Sequence, residues 1–410
     1  MLFEGVNIYN KIYDYPFEKV KKIGVAGTNG KTTTAKMICH ILRDAGVPVG
    51  FISKDEISMN EEKTEGDFKN SNIEKLFKIF DRMIKMKVEI VVIEVDDWCF
   101  ETSILQGINF DMIVYTSIEI DHIKNTEEIK KYMEGQKSLL NYLLDNGIVI
   151  VNTDDKSNLK LLENIKNRLI ITYGLSSRAT ITASSIDIVP IKFNCCIQRG
   201  ITPLNDMDIE PMEFPIAMNF IGRHNVYNTL AAVSAALIYG VLPENIIKAV
   251  RNLKRIKRRM YKIDHHKYQI IDDRCHNPSS FEAVFEAIQS VDYESLYIVN
   301  AIIGNKGIEI NKRNAKIISN WVNGLKSAKL ITTCSTDVVD KKDVVLEDER
   351  DVFHQVLKEN EILFDHKNQL KDALYIALSN AARNDLILLL GSSGMDEGEN
   401  LIRKLLKEKK

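Results

Sequence analysis

The sequence has no C-x-x-C pair: its six cysteines (Cys39, Cys99, Cys195, Cys196, Cys275 and Cys334) are scattered, with one adjacent pair. That argues against a thiolate zinc cage and a disulfide framework, and points to a cytosolic setting with reduced thiols. Neither charge is in excess, since 55 Lys and Arg stand against 57 Asp and Glu, a net charge of -2. No global field therefore draws the chain to nucleic acid or an anionic membrane, so any phosphate must be held by a local site. No stretch approaches the ~18 uncharged apolar residues of a membrane-spanning helix. The start, MLFEGVNIYNKIYDYPF, lacks the basic-then-apolar layout of a secretory signal. Internal repeats and low-complexity tracts are also missing.

What is present is an ordinary composition for a folded chain, 45% apolar and 27% charged over 410 residues, long enough for two or three domains at roughly 150 residues each. The first third alternates short β-branched runs (KKIGVAG, EIVVIEV, FDMIVYTS, GIVIVNTDD) with stretches whose apolar residues recur every three or four positions (TTAKMICHILRDAG, SNIEKLFKIFDRMIKM). This is the rhythm of βαβ units on a parallel sheet. From Ala179 to Ile221 short alternating stretches broken by Pro and Gly predict antiparallel strands packed beside that sheet. Helical stretches follow, HNVYNTLAAVSAALIYG and ENIIKAVRNL, and after a basic segment, Lys254 to Arg259, a second βα series begins. The expected fold is α/β: a phosphate-loop NTPase-type, mostly parallel sheet domain over 1–257, followed by a smaller Rossmann-like domain over 258–410.

Strand KKIGVA runs into Gly27-Thr28-Asn29-Gly30-Lys31-Thr32-Thr33-Thr34 and then a helix. Glycines let backbone N–H groups wrap a phosphate, a lysine meets the terminal phosphates, and the hydroxyl after it holds Mg²⁺. A chance glycine turn would not need all of these between a strand and a helix. Cys275 beside His276 raises a thiol nucleophile, but the plain small-residue reading is favoured at that position.

With these residues the chain resembles the Mur ligase superfamily, ATP-dependent amide-forming enzymes of cell-wall peptide assembly and their relatives, including folylpolyglutamate synthetases. The resemblance extends in order from Gly27 to about Gly394. It implies that Gly27, Thr28, Asn29, Gly30, Lys31, Thr32 and Thr33 bind ATP, and that Glu94, at the end of EIVVIEV, binds Mg²⁺ together with Thr32. Asp96-Asp97 stand where the family usually has small hydroxyl residues. Tyr115-Thr116-Ser117 through Asp121-His122 resembles the family's T-N…D-H segment, making His122 a metal ligand. Lys137 falls near the lysine that the family carbamylates into a further carboxylate ligand, with Lys130 and Lys131 as rivals. Gly222 to Ala232 resembles a helix start whose Asn228 would meet adenine; Arg258-Arg259-Met260 resembles the opening of the second domain, with Arg259 reaching phosphate; and Asp272 to Pro278 resembles a segment whose Asp273 contacts ribose.

The implied reaction is amide formation between a carboxylate and an amine through an acyl phosphate, with ATP and Mg²⁺ as cofactors and Lys31, Glu94, His122 and Lys137 at its centre. The partners are then small molecules, with no nucleic acid or membrane; the oligomeric state is not legible. Two departures bear on the substrate. Only 26 residues precede Gly27, which leads us to expect no UDP-sugar domain and a carboxylate other than a UDP-sugar. The family's D-N-P-R amino-acid signature is replaced by Thr332-Thr333-Cys334-Ser335-Thr336-Asp337. Gly304 to Gly307 with Arg313, and Gly391 to Asp396, fall in post-strand turns where a second ligand would sit, or are plain turn chemistry. The competing readings are a UDP-muramoyl-peptide ligase of wall synthesis, a non-catalytic ATP-binding partner subunit, and a simple phosphate-loop kinase or motor.

Overall fold

The computed structural model describes residues 2–60, 62–66, 73–96, 99, 105–119, 126–162, 165, 168–202, 204, 208–263 and 265–408. The chain divides into two compact units, one formed by Met1–Asn219 with His224–Leu253 and the other by Phe220–Arg223 with Lys254–Lys410.

The first unit is built on one sheet. Its strands are β1 (Lys21–Ala26), β2 (Val49–Ile52), β3 (Glu56–Met59), β4 (Glu62–Glu65), β5 (Ile90–Glu94), β6 (Phe110–Tyr115), β7 (Leu143–Asn152), β8 (Leu169–Tyr173), β9 (Ile181–Ile188), β10 (Ile191–Ile197) and β11 (Met212–Met218). In space they run β11-β10-β9-β8-β7-β6-β1-β5-β2-β3-β4. The centre, β8 through β2, is parallel. Those strands read as near-continuous apolar runs because helices cover both faces, as in all-parallel sheets generally. Ile23, Val25, Val91, Val92, Ile113 and Val149 are fully excluded from water. The antiparallel strands expected after Ala179 are there, but they do not lie beside the sheet: β9 joins the edge of β8 through Tyr173 and Ile181, and β10 and β11 extend it. A second antiparallel edge, β2-β3-β4, has no counterpart among the sequence expectations. Its strands are four residues each, too short to show a period.

The helix Arg223–Ile238 is buried nearly all round, which explains its lack of a polar stripe. It lies against the phosphate-loop helix Lys31–Asp44 through Thr229 Oγ1 on Met37 Sδ (3.7 Å) and Thr34 Oγ1 on Asn228 Oδ1 (3.3 Å).

The second unit carries β12 (Tyr261–Ile263), β13 (Gln269–Asp273), β14 (Leu296–Ala301), β15 (Ala328–Thr333), β16 (Phe364–Lys367) and β17 (Leu386–Leu390), ordered β12-β13-β17-β14-β15-β16. Only β12 is antiparallel to its neighbour, as expected for a doubly wound sheet with an added edge strand. Among the described residues no helix is long and apolar enough to cross a membrane.

Candidate active site

In the first unit, β1 ends at Ala26 and the chain turns through Gly27 (φ 130°) and Gly30 (φ 86°) into the helix Lys31–Asp44. Both positions require glycine. A Cβ on Gly27 would collide with Thr116 Oγ1 and stand 2.7 Å from Ser117 O, and one on Gly30 would collide with Asn228 Oδ1. The loop is fastened to the segment after β6. Thr28 N donates to Ser117 O (2.5 Å), Asn29 N to Ser117 Oγ (3.3 Å), Glu119 N to Thr28 Oγ1 (3.0 Å) and Asn29 Nδ2 to Glu119 Oε2 (3.1 Å). The helix's own ladder begins at Thr34 N to Gly30 O (2.9 Å), so its first-turn N–H groups face the loop, the arrangement that favours an anion.

Thr32 Oγ1 donates to Glu94 Oε1 at 2.8 Å, and Glu94 is only 9% exposed. The hydroxyl and the strand-end carboxylate singled out in the sequence are thus in contact. Lys31 Nζ donates to Gly27 O (2.9 Å) and Thr28 O (3.0 Å) and lies 3.4 Å from Asp96 Oδ1. His122, with Asp121 and Asp97, lies outside the described residues. Lys137 is half-buried in the last turn of the helix Thr126–Ser138, whereas Lys130 and Lys131 are exposed. That helix is tied to the loop by Tyr132 Oη and Thr28 Oγ1 (2.8 Å), and to β6 by Tyr115 Oη donating to Gln136 O (2.8 Å).

The glycine cradle and the all-oxygen pair of Thr32 and Glu94 fit a phosphate and a hard cation such as Mg²⁺. Among the described residues no three His, Cys, Asp or Glu side chains form a ready-made metal cage.

Asn228, expected at adenine, is buried under the loop. Its Oδ1 accepts from Thr34 Oγ1 and its Nδ2 donates to Asn225 Oδ1 (3.1 Å). Asp155 is a support that the sequence reading misses: its carboxylate accepts from Ile118 N (2.5 Å), Ser157 N (2.8 Å) and Asn158 N (3.4 Å). Asn158 Nδ2 in turn donates to Thr116 O (2.6 Å). The signal for it is an acidic residue between a strand and a helix, the N-cap position.

In the second unit the buried arginine is Arg258, not Arg259. Arg258, at φ 60° and 7% exposed, donates through Nη2 to Gly391 O and through Nη1 to Ser392 O (3.3 Å) and Asp396 Oδ1 (3.1 Å). Its Nε stands 3.3 Å from Asp272 Oδ1 but off hydrogen-bond alignment. Burial pushes the Asp272 carboxyl up to about 7 against the opposing pull of Arg258. Arg259 is half-buried and its Nη1 reaches Arg258 O (3.4 Å). Asp273 accepts from Met260 N (2.7 Å) and from the Cys275 thiol (3.3 Å), so its carboxylate orders the start of this unit. Burial holds Cys275 well above the usual thiol range, which rules against a thiolate nucleophile. In the turn Gly304 to Gly307, the N–H groups of Asn305, Lys306 and Gly307 all donate to the buried carboxylate of Glu349 (2.9, 2.9 and 2.6 Å).

Comparison with known proteins gives a consistent picture. Residues 25–236 match the Mur ligase middle domain and residues 258–393 the Mur ligase glutamate ligase domain. The chain is 26% identical over 388 residues to the UDP-N-acetylmuramoyl-L-alanyl-D-glutamate–2,6-diaminopimelate ligase of Fusobacterium nucleatum, covering 94% of this chain and 74% of that protein. In fold it is similar to the folylpolyglutamate synthase of Mycobacterium tuberculosis (TM-score 0.75, 14% identity, 98% of this chain and 94% of that one). It is also similar to a pseudomurein peptide ligase type C from Methanothermus fervidus (TM-score 0.68, 22% identity, 97% and 81%).

Proposed function

The chain belongs to the Mur ligase family of ATP-dependent amide-forming enzymes, and on that premise we propose that it joins a carboxylate to an amine through an acyl phosphate. The observation that carries the reading is the contact of Thr32 with Glu94 beside a loop that tolerates only glycine at positions 27 and 30. A carboxylate is a poor acylating agent because its leaving group would be oxide. Transfer of the γ-phosphoryl makes phosphate the leaving group, and the amine then attacks. Lys31 meets the terminal phosphate oxygens, while the loop from Gly27 to Gly30 and the helix start at Lys31, Thr32 and Thr33 cradle them. Thr32 and Glu94, with His122 and a carbamylated Lys137, would hold Mg²⁺, which when bound offsets charge on the phosphates. Asn228 belongs to the same proposed nucleotide set and braces the loop from beneath through Thr34 and Asn225.

Two readings of the acid substrate remain in competition. The altered segment Thr332 to Asp337 supports a substrate pair other than that of the wall ligases. The name of the Fusobacterium relative supports a UDP-muramoyl peptide. Calorimetry with UDP-muramoyl dipeptide and tripeptide separates them. Micromolar binding to either selects the wall-type substrate; no binding, with ADP release stimulated by another small carboxylate, selects the first. ADP release that no carboxylate stimulates contradicts the ligase itself.

A further inference from the structure

The segment after β6, Thr116 to Glu119, is held by two separate sets of partners. One is the phosphate loop: Ser117 O accepts from Thr28 N (2.5 Å), Ser117 Oγ accepts from Asn29 N (3.3 Å), and Glu119 N donates to Thr28 Oγ1 (3.0 Å). The other is the junction after β7, where Asp155 precedes the helix Lys156–Leu161. Asp155 Oδ2 accepts from Ile118 N (2.5 Å), and Asn158 Nδ2 donates to Thr116 O (2.6 Å). The Thr116 carbonyl and the Ile118 amide thus go to the junction, while Ser117 and the Glu119 amide go to the loop. Packing leaves no slack between segment and loop, because a Cβ on Gly27 would run into Thr116 Oγ1 and Ser117 O. A shift of the segment therefore carries the loop with it.

We propose that Asp155 is a positioning residue for nucleotide capture: through Ile118, its Oδ2 fixes where the segment, and with it the loop from Gly27 to Gly30, stands. The inference rests on the nucleotide-binding reading of the loop. The two carboxylate oxygens divide the work. Oδ1 accepts from Ser157 N (2.8 Å) and Asn158 N (3.4 Å) and caps the helix, whereas Oδ2 takes the segment. A cap alone needs one oxygen, and asparagine or serine supplies it as well as aspartate does. The second oxygen is what ties the junction to the loop, and an ionised acceptor makes that bond a strong one. Asp155→Asn therefore separates the two tasks. Its amide oxygen stays with the two helix N–H groups, and its NH₂ group then meets the Ile118 N–H, donor against donor. Asp155→Ser caps with a single oxygen and has no amide to turn over.

The test is isothermal titration of a non-hydrolysable ATP analogue in Mg²⁺ against the wild-type chain, Asp155→Asn and Asp155→Ser, with thermal melts of each. Both variants keep the cap, so both should melt within about 4 °C of the wild-type chain. Both should bind the analogue about tenfold more weakly, the share of one hydrogen bond to a charged group. Wild-type affinity in either folded variant overturns the proposal and leaves Asp155 a helix cap. Weakening that comes only with a larger fall in melting temperature overturns it too, since the loss would then follow from damage to the fold. Failure of the wild-type chain to bind the analogue is a different result and would strike the nucleotide reading itself.

Discussion

At the scale of single residues, the sequence discloses the chemistry more readily than the supports beneath it. Gly27, Gly30, Lys31, Thr32 and Glu94 are legible because few other residue types fit the phosphate loop and strand-end carboxylate that the family implies. Asp155 shows only the generic mark of an acidic residue before a helix, and Tyr132 shows none, since a phenol on Thr28 differs in no local pattern from a polar side chain in solvent. Arg258 and Arg259 are adjacent and chemically equal, so the choice between them depends on the backbone turning through φ 60° at Arg258. Lys137 is the residue whose chemistry is most open to trial. Carbamylation turns an amine into an anionic oxygen ligand, which an alanine removes and a small acid can replace from solution. Lys137→Ala should therefore lose at least about a hundredfold in turnover, the scale of losing one charge-stabilising group, and recover part of it in formate or acetate. Exposed Lys130→Ala should need no such rescue, and equal loss and rescue at both positions would contradict the assignment.

At the scale of elements, long periodic segments such as Lys31–Asp44 and Ile73–Lys85 are readable, while the four-residue strands β3 and β4 are not. The place of β9 is also hidden, because one bridge between Tyr173 and Ile181 decides that it extends the sheet. One packing feature couples three elements of the second unit. His354, in the helix Glu347–Glu359, and His366 on β16 both approach the buried Thr332 hydroxyl on β15, at 3.1 and 3.0 Å. Burial, with His366, Arg350 and Lys358 nearby and Asp351 opposing, lowers His354 to about 4. Its folded form thus binds a proton less readily than the unfolded chain near 6.5. Stability from the neutral ring is fully present above about pH 6.5 and is lost as pH falls toward 4, by at most about 2 kcal/mol once solvent screening is allowed for. Melting curves of the wild-type chain should steepen in that window relative to His354→Gln, which keeps a hydrogen-bonding group near Thr332. Parallel pH profiles would contradict this.

At the scale of the whole molecule, the chain folds as two α/β units, each with its own mostly parallel sheet. The family follows from motifs spread in order along the chain, which is why it is legible in the amino-acid sequence alone. The substrate is not, because Thr332 to Asp337, which take the place of the family's amino-acid signature, carry residues that fit a buried strand end and its turn as well as ligand contacts. The central claim is that the first unit is a magnesium-dependent nucleotide site organised by Lys31. The most direct measurement is titration of a non-hydrolysable ATP analogue in Mg²⁺ into the wild-type chain and Lys31→Ala, with melts to confirm that both are folded. The wild-type chain should bind one analogue with micromolar affinity, and the variant at least about a hundredfold more weakly, as expected for removing a charge that meets the terminal phosphates. Equal binding by both folded proteins would contradict the account.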